Sequence, residues 1–322
     1  MKTTFLLLFA AFWAVSAAAA GPVDGVQFIR SCDTLADGKP CVWFAVVADM
    51  KANPDLRFDA VLVDGGSTPS KVFAEYEASG KGRPVAVANA GFFNMRTFES
   101  VSLLVSDSKT EAPDNNSASR RISSDSVVSA RPIHAAFGQM PDGRFEAQWI
   151  YCHEADNREP YVYPFAVGND DSLKCYSPTG PALGAYGAYR WDAVEAVGAG
   201  PMLVKDGRDV SLASSCGEMY YRTIGGAARH PRTAVGVTGD GKVILLVADG
   251  RGMNGSVGCT LSELADIMIG LGAVEAINLD GGGSSAMVDS DGKLMNRPSD
   301  TGKRAEPVER RVPTFVVIAE AE

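Results

Sequence analysis

The chain is poor in histidine and has no closely spaced pair of cysteines. It contains three histidines among 322 residues, all far apart, and its six cysteines include no Cys-x-x-Cys motif. Because protein zinc sites are built from closely spaced cysteine and histidine ligands, these absences argue against a zinc protein. We expect no resident cofactor, and we keep a divalent cation as an alternative that is described below.

Positive charge is also in deficit. The chain has 30 Lys and Arg residues against 39 Asp and Glu residues, which gives a formal net charge of −9. A general nucleic-acid-binding protein shows the opposite balance, so we expect no nucleic-acid partner. Any binding of anions must then come from a few arginines placed at one site.

Long apolar runs are absent except at the N-terminus. Residues 1–20 combine Lys2, an apolar stretch over Phe5–Val15 and a run of small residues, as secretory signal peptides do. The apolar stretch is too short for a transmembrane helix. We therefore expect residues 1–20 to be removed, residues 21–322 to form a single domain without a membrane span, and the protein to be secreted or periplasmic.

The six cysteines suggest disulfide bonds, since an exported chain meets oxidising conditions. Proximity in sequence favours the pairs Cys32–Cys41, Cys152–Cys175 and Cys216–Cys259 among the many that are combinatorially available.

Short β-prone runs separated by Asp-Gly turns dominate the rest of the sequence. The runs are Val42–Ala48, Asp59–Val63, Val85–Asn89, Ser102–Val105, Ala193–Val197, Ala234–Val237, Val243–Asp249, Ala276–Leu279 and Thr314–Ala319. Such spacing is typical of hairpins. It predicts an α+β fold: one domain with a mainly antiparallel or mixed β-sheet core, flanked by a few helices. Residues 106–131, rich in Ser, Asp and Asn, predict a mobile loop, and residues 152–190 predict irregular structure.

One helix is indicated clearly. Thr260 and Glu263 have the spacing of a capping box, and an apolar stripe follows them up to Leu271. This gives Glu263 a structural explanation. Because the helix lies between the β-prone runs that end at Asp249 and Leu279, it favours a parallel crossover connection.

The most informative motif is Asn-Leu-Asp-Gly-Gly-Gly-Ser-Ser over residues 278–285. Three consecutive glycines predict a positive φ or a close approach by another group. Free N–H groups in such a loop form an anion-binding nest, and Asp280 lies directly beside it. The motif therefore favours a site for a negatively charged substrate. The alternative is a tight turn in which Asp280 caps its own loop.

Three further polar segments lie at the ends of β-prone runs, where rigid scaffolds often assemble sites. They are Asn89–Asn94, Arg232-Thr233 and Asp249-Gly250-Arg251. The candidate site residues are Asn89, Gly91, Asn94, Arg232, Thr233, Asp249, Arg251, Asp280, Gly281, Gly282, Gly283, Ser284 and Arg310.

The chemical types of these residues are complementary. Arg232 and Arg251 can each hold a phosphate or carboxylate through two parallel hydrogen bonds. Asp249 and Asp280 supply the two carboxylates that cleavage of a glycosidic bond requires. The two asparagines, Asn89 and Asn94, are suited to sugar hydroxyls. A salt-bridged turn between Asp249 and Arg251 is the alternative for that segment.

In their order and spacing these motifs resemble the phosphodiester glycosidase family over about residues 85–317. The resemblance also includes Phe137-Gly138, Gly200–Val204, Arg232–Gly236, Thr260–Ala265 and Arg310–Thr314. It implies hydrolysis of a small-molecule or glycan sugar-1-phosphodiester at the anomeric C–O bond, with release of free sugar and a phosphomonoester. Within that reaction Asp280 is expected to be nucleophile or general base with Asp249 as its partner. Arg232 and the amides of residues 281–284 are expected to hold the phosphate.

Two other functions fit the same residues. A binding module for anionic glycans or cell-wall polymers would use the arginines and the glycine loop without catalysis. Alternatively Asp280, Asp289 and Asp291 could supply oxygen ligands to a divalent cation, although a hairpin turn explains Asp289 and Asp291 as well.

Overall fold

A computed structural model describes residues 19–20, 23–115, 118–121, 127–166, 180–218, 220 and 223–321. Most of the predicted signal peptide lies outside these residues, as does Cys175 with its predicted pairing to Cys152. Within the described residues no helix is both long and apolar enough to cross a membrane.

The described residues form mostly β-strands with three α-helices, as the predicted α+β class requires. The helices are α1 (Pro69–Ala78), α2 (Ser211–Gly217) and α3 (Leu261–Gly270). The strands are β1 (Ala19–Ala20), β2 (Val26–Thr34), β3 (Pro40–Ala48), β4 (Leu56–Ser67), β5 (Arg83–Asn89), β6 (Leu104–Ser106), β7 (Lys109–Ala112), β8 (Ala118–Arg121), β9 (Val127–Ala130), β10 (His134–Gln139), β11 (Phe145–His153), β12 (Glu159–Tyr163), β13 (Tyr189–Arg190), β14 (Glu195–Gly198), β15 (Met202–Lys205), β16 (Arg208–Asp209), β17 (Arg232–Thr238), β18 (Val243–Ala248), β19 (Ala273–Asn278), β20 (Met287–Val288) and β21 (Val312–Glu320).

The strands assemble into three large sheets and one hairpin. The first sheet has the order β1-β2-β3-β18-β17-β19-β15-β16, and the second has the order β13-β12-β11-β10-β14-β6-β7. The third sheet has the order β20-β5-β21-β4, and β8 pairs with β9. Neighbouring strands in the described residues pair antiparallel, for example β17 with β18 and with β19.

The first sheet is the middle layer of the protein, because its central strands are buried on both faces. In β3, Val42, Phe44 and Val46 belong to one hydrophobic core, whereas Trp43 and Ala45 belong to another on the opposite face. Side chains alternate between the two faces of a strand, so a strand covered on both sides needs an uninterrupted apolar run. The sequence of β3 has such a run from its second residue onward.

Different elements cover the two faces. The larger core joins the first sheet to strands of the second and third sheets, including Phe137 of β10 and Val316 of β21. On the opposite face Leu264 and Met268 of α3 pack against the same sheet. Helix α1 covers the outer face of the third sheet through Phe73.

The predicted crossover connection is confirmed. Strands β18 and β19 both pair antiparallel with β17 and are therefore parallel to each other, with α3 in the connection between them. This arrangement places the C-terminal ends of β18 and β19 at the same edge as the start of β17. Asp249 follows β18 and Asp280 follows β19, so the topology gathers both segments at one edge.

The prediction of a loop over residues 106–131 is wrong in part. Strand β7 extends the second sheet, and β8 and β9 form a separate hairpin within this stretch. Backbone pairing needs no apolar side chains, so polar strands at an edge leave no hydrophobic pattern in the sequence.

The predicted disulfide pairs are also corrected. Cys32 lies opposite Val42, and Cys41 lies opposite Asp33, so the two cysteines occupy adjacent registers and face opposite sides of the sheet. Cys259 is buried against Cys41 instead of Cys216, and a hydrogen bond to Cys41 together with burial raises the pKa of the Cys259 thiol. No disulfide joins the cysteines of the described residues.

The capping box of α3 is confirmed. The Thr260 hydroxyl accepts a hydrogen bond from the Glu263 N–H (3.2 Å), and the Glu263 carboxylate accepts one from the Thr260 N–H (2.9 Å). Glu263 also forms an ion pair with Arg229 (2.6 Å), so its structural explanation holds.

Removing the cap should weaken the protein by a measurable amount. We expect Thr260→Ala to lower the free energy of unfolding by about 1 kcal/mol, because the Glu263 N–H loses its acceptor. Urea denaturation followed by circular dichroism measures this, with Glu77→Ala, at an exposed position of α1, as the control. An unchanged midpoint would show that the cap contributes nothing.

Candidate active site

The ends of three strands meet at residues 278–285. The Asn89 side chain at the end of β5 donates to the Asp280 carbonyl (2.7 Å), and the Thr233 hydroxyl on β17 donates to the Asn89 amide oxygen (2.9 Å). The Asp280 N–H donates to the Ala90 carbonyl (2.8 Å), and the Leu279 N–H donates to that of Thr233 (2.8 Å). Residues up to 191 positions apart are therefore directly hydrogen-bonded, as the sequence predicted.

The same polar network reaches Asp249. The hydroxyl groups of Thr233 and Ser285 lie 3.2 Å apart. The Asn296 side-chain amide donates both to the Ser285 carbonyl (3.0 Å) and to the Asp249 carboxylate (3.3 Å). Asn89, Thr233, Asp249 and Asn296 are almost fully buried, so each of these bonds holds the backbone of the glycine loop in place.

Two of the three glycines allow arginines to approach the loop. Gly282 has a φ of +66°, and a Cβ atom there would lie 3.1 Å from the guanidinium of Arg251. At Gly283 a Cβ atom would lie 2.1 Å from both Arg310 and Asp300. Both interpretations of the glycine motif, a positive φ and a close approach, are therefore correct.

Three of the four amides of the predicted nest are hydrogen-bonded within the protein. The Gly282 N–H donates to the Pro231 carbonyl (2.9 Å), and the Ser284 N–H lies against the Gly281 carbonyl (3.2 Å). The Gly281 N–H donates to the carboxylate of Asp280 itself. Most of the positive potential beside the loop therefore comes from arginine side chains.

Asp280 is the titratable group at the centre of this loop. The residue is only partly exposed, and the protein around its carboxyl group excludes much of the solvent. Burial raises its pKa from 3.8 to about 6, against the opposing effects of the Ser284 hydroxyl, the positive charge of Arg310 and the Gly281 N–H. A carboxyl group with such a pKa can both bind and release a proton near neutral pH.

Arg310 lies beside Asp280 and is held by a second carboxylate. Its Nε and Nη2 atoms donate to the two oxygens of Asp300 (2.8 and 2.9 Å). The remaining nitrogen, Nη1, lies 3.4 Å from the Ser284 hydroxyl and 3.9 Å from the sulfur of the exposed Met95. The edge of the guanidinium group that carries Nε and Nη2 is therefore fixed by Asp300, and Nη1 points toward the Asp280 side of the loop.

Arg251 supplies a second guanidinium group to the loop. It has a φ of +56°, and its Nη1 atom donates to the Ser299 hydroxyl (3.2 Å). In the part of the chain that the structure describes it forms no ion pair, so the alternative of a salt-bridged turn with Asp249 is wrong. Arg251 is exposed, and its guanidinium group lies at the rim of the site.

Arg232 has a different position from the one expected of a phosphate-binding residue. Its side chain is 2% exposed and donates to the carbonyls of Ile224, Gly225, Ala228 and Cys259 at 3.0–3.2 Å. These bonds direct the guanidinium toward the backbone of residues 224–228. The geometry corrects the expectation from sequence: Arg232 holds a loop and has no exposed face for phosphate.

Asp249 is likewise used within the protein. One carboxylate oxygen accepts from the Asn254 side chain (2.6 Å), and the other from Asn296 and the Arg297 N–H (3.0 Å). The residue is 1% exposed, and burial raises the pKa of its carboxyl group. The geometry therefore does not support Asp249 as a second catalytic carboxylate. Instead, Asp249 anchors the two loops that contain Asn254 and Asn296.

Two residues of the first polar segment have local roles. The Asn94 side chain accepts from the N–H groups of Arg96 and Thr97 (2.9 and 3.3 Å), which makes it the cap of its own exposed turn. Gly91 is packed so closely that a Cβ atom would lie 2.8 Å from Ser102. The structure does not bring Asn94 into the network around Asp280.

The structure supports a hairpin turn as the explanation for Asp289 and Asp291, which were considered as metal ligands. Asp289 accepts from the N–H groups of Asp291 and Lys293 (both 3.0 Å), and Asp291 forms an ion pair with Lys293 (3.1 Å). Across the described ranges no group of three or more Asp, Glu, His or Cys side chains is arranged to hold a metal ion.

The candidate site residues predicted from the sequence did not include Asn296, Asp300 or His230. The first two lie in an irregular stretch between β20 and β21, where no periodic pattern marks a side chain as buried or paired. His230 pairs with Cys259 through the backbone, and burial with the nearby charges of Arg232 and Arg251 lowers its pKa. Its imidazole is therefore neutral at neutral pH beside the rim arginine.

The family assignment rests on comparison with known proteins. The phosphodiester glycosidase family model matches residues 81–319, which is most of the chain, so this chain belongs to the phosphodiester glycosidase family. The resemblance seen in the sequence motifs is confirmed, at nearly the same boundaries.

Individual relatives share short segments or the fold. The chain is 44% identical over 69 residues to N-acetylglucosamine-1-phosphodiester alpha-N-acetylglucosaminidase of Bos taurus and 38% identical over 77 residues to the prophage-derived protein YomE of Bacillus subtilis. These matches cover 21% and 24% of this chain and only 12% of each relative. The auto-inhibited catalytic domain of the zebrafish enzyme of the same name superposes with a TM-score of 0.62 at 18% identity, covering 94% of this chain and 87% of that one.

The role of Arg232 can be tested by stability. We expect Arg232→Ala to lower the free energy of unfolding by about 3 kcal/mol, because four buried carbonyls lose a charged donor. Thermal and urea denaturation measure this loss, with the exposed Arg208→Ala as the control. If Arg232→Ala leaves stability unchanged and only weakens capture of a charged substrate, the residue is a phosphate ligand after all.

Proposed function

We propose that this protein hydrolyses a sugar-1-phosphodiester at the anomeric C–O bond and releases a free sugar and a phosphomonoester. The observation that carries the proposal is the desolvated carboxyl group of Asp280, with a pKa of about 6, beside the guanidinium group of Arg310 and in a loop whose Gly282 lies against Arg251. The relatives named after this reaction and the family membership agree with it.

Asp280 is the group that acts on the sugar. Above a pH of about 6 it is ionised and can attack the anomeric carbon directly or take a proton from an attacking water. Ser284 positions it, because the hydroxyl donates to the carboxylate and lies 3.4 Å from Arg310. Asp249 and Arg232 act further away by fixing the loops that carry the site.

Arg251 and Arg310 hold the phosphate. A phosphodiester carries one negative charge, and the charge on the leaving oxygens grows as the C–O bond breaks. Guanidinium groups held in place before the reaction stabilise that developing charge without reorganisation. Because phosphate is a good leaving group without a strong acid, the reaction depends more on electrostatic stabilisation of the phosphate by the arginines than on proton donation to it.

Replacing the central carboxylate separates catalysis from folding. We expect Asp280→Asn to lower turnover of an α-sugar-1-phosphodiester by about 10³-fold or more, measured as release of free sugar, since the amide cannot serve as nucleophile or base. Asp291→Asn, an exposed carboxylate in a hairpin, is the matched control and should keep full activity. Near-normal turnover in Asp280→Asn removes this residue from the mechanism.

The same variant has an expected signature in stability. Because the folded-state pKa of Asp280 (about 6) lies above its unfolded value, the stability this group contributes is complete below pH 3.8 and is lost as the pH rises through 6. Asp280→Asn should therefore melt a few degrees higher than the wild type at pH 8 and show little advantage at pH 4. A lower melting temperature at pH 8 contradicts the assigned burial.

A comparison of charged and neutral substrates shows whether Arg251 recognises the phosphate or contributes to substrate binding in general. We expect Arg251→Gln to lower kcat/KM on the sugar phosphodiester by about 10²-fold and on an uncharged aryl glycoside of the same sugar by less than about threefold. Arg208→Gln, on an exposed strand remote in sequence, is the control. Equal losses on both substrates argue against phosphate recognition, and binding without any turnover by the wild type identifies a binding module.

A further inference from the structure

Asp300 neutralises one of the two arginines of the site. Its two carboxylate oxygens accept from Nε and Nη2 of Arg310 at 2.8 and 2.9 Å, in the bidentate geometry of a strong ion pair. Only Nη1 of Arg310 remains directed toward Ser284 and Asp280. Arg310 is thus positioned as a donor while most of its net charge is compensated.

The ion pair is built into the glycine loop. A Cβ atom at Gly283 would lie 2.1 Å from a carboxylate oxygen of Asp300 and equally close to Arg310, so only glycine accommodates the pair at this distance. The neighbouring Ser299 hydroxyl accepts from Arg251, so one short turn over Ser299–Thr301 contacts both arginines of the site. The turn is itself anchored, since the Thr301 hydroxyl accepts from the Val308 N–H (2.9 Å).

Asp300 lowers the net positive charge beside the loop. It pairs with Arg310, whereas Arg251 contacts the neighbouring Ser299 and Arg304 donates to the Asp300 carbonyl (2.9 Å), so the Asp300 carboxylate removes one unit of positive charge from a group of arginines. The substrate phosphodiester carries one charge, whereas the phosphomonoester product carries nearly two above pH 6. Coulomb energy is proportional to the ligand charge, so each unit of site charge affects the product about twice as strongly as the substrate.

We propose that Asp300 is a specificity-determining residue that favours singly charged phosphodiesters over doubly charged phosphomonoesters. This inference rests on the proposed function. The reason is that Asp300 forms an ion pair with Arg310, one of the two arginines that would contact the phosphate. A site with the highest possible affinity for phosphate would have no carboxylate paired with either arginine. Asp300 weakens the hold on the product and so promotes its release.

The test compares substrate and product in variants of Asp300. Asp300→Asn removes the charge and keeps the size of the side chain, and Asp300→Ser is a second neutral variant in case the first does not fold. We expect the KM for a sugar-1-phosphodiester to decrease about threefold and the inhibition constant of the phosphomonoester product to decrease about tenfold, since the second effect scales with twice the charge.

Two controls separate charge from structure. Asp300→Glu retains the charge and should keep the wild-type ratio of the inhibition constant to KM, and Asp291→Asn makes the same charge change at a hairpin without contact to the site and should alter neither constant. If the neutral variants change both constants by the same factor, or change neither, the inference is overturned. A wild-type protein that hydrolyses no sugar phosphodiester overturns the proposed function itself, which is a separate outcome.

Discussion

Asp280 leaves the end of β19 with its carboxyl group buried, and the surrounding structure is arranged to tolerate that burial. Its backbone is fixed by Asn89 and by the Ala90 carbonyl, and its carboxylate accepts from Ser284 and Gly281. These donors only partly offset desolvation, so the pKa remains at about 6. This burial lowers the stability of the protein at neutral pH and leaves a carboxyl group that titrates near neutral pH, which is a common property of catalytic groups.

Buried polar residues at the neighbouring strand ends make this arrangement rigid. Arg232 and Asp249 form all or most of their hydrogen bonds with backbone and side-chain groups of adjacent loops. Arg251 is exposed and Arg310 is partly exposed, so both can contact an anion, whereas the buried Arg232 and Asp249 hold neighbouring loops in place. A site built in this way keeps its geometry without a ligand present.

Much of the fold was predictable, because apolar periodicity and Asp-Gly turns mark strands directly. The runs at Val42–Ala48 and Val243–Asp249 match β3 and β18 closely, and the capping box located α3. The convergence of Asn89, Thr233 and Asp280 was predictable from polar residues at strand ends. The sequence did not predict which arginine faces solvent, because the burial of Arg232 depends on the carbonyls of residues 224–228 and no local pattern connects these to it. Asp300 was missed because its pairing with Arg310 is likewise invisible to local sequence patterns.

We propose that Asp280, together with Arg251 and Arg310, directs water to the anomeric carbon of a sugar-1-phosphodiester. Hydrolysis in ¹⁸O-labelled water tests it most directly, with mass spectrometry of both products. We expect cleavage of the anomeric C–O bond, which places the label in the released sugar and leaves the phosphomonoester unlabelled. Label in the phosphomonoester would show attack at phosphorus and would contradict it.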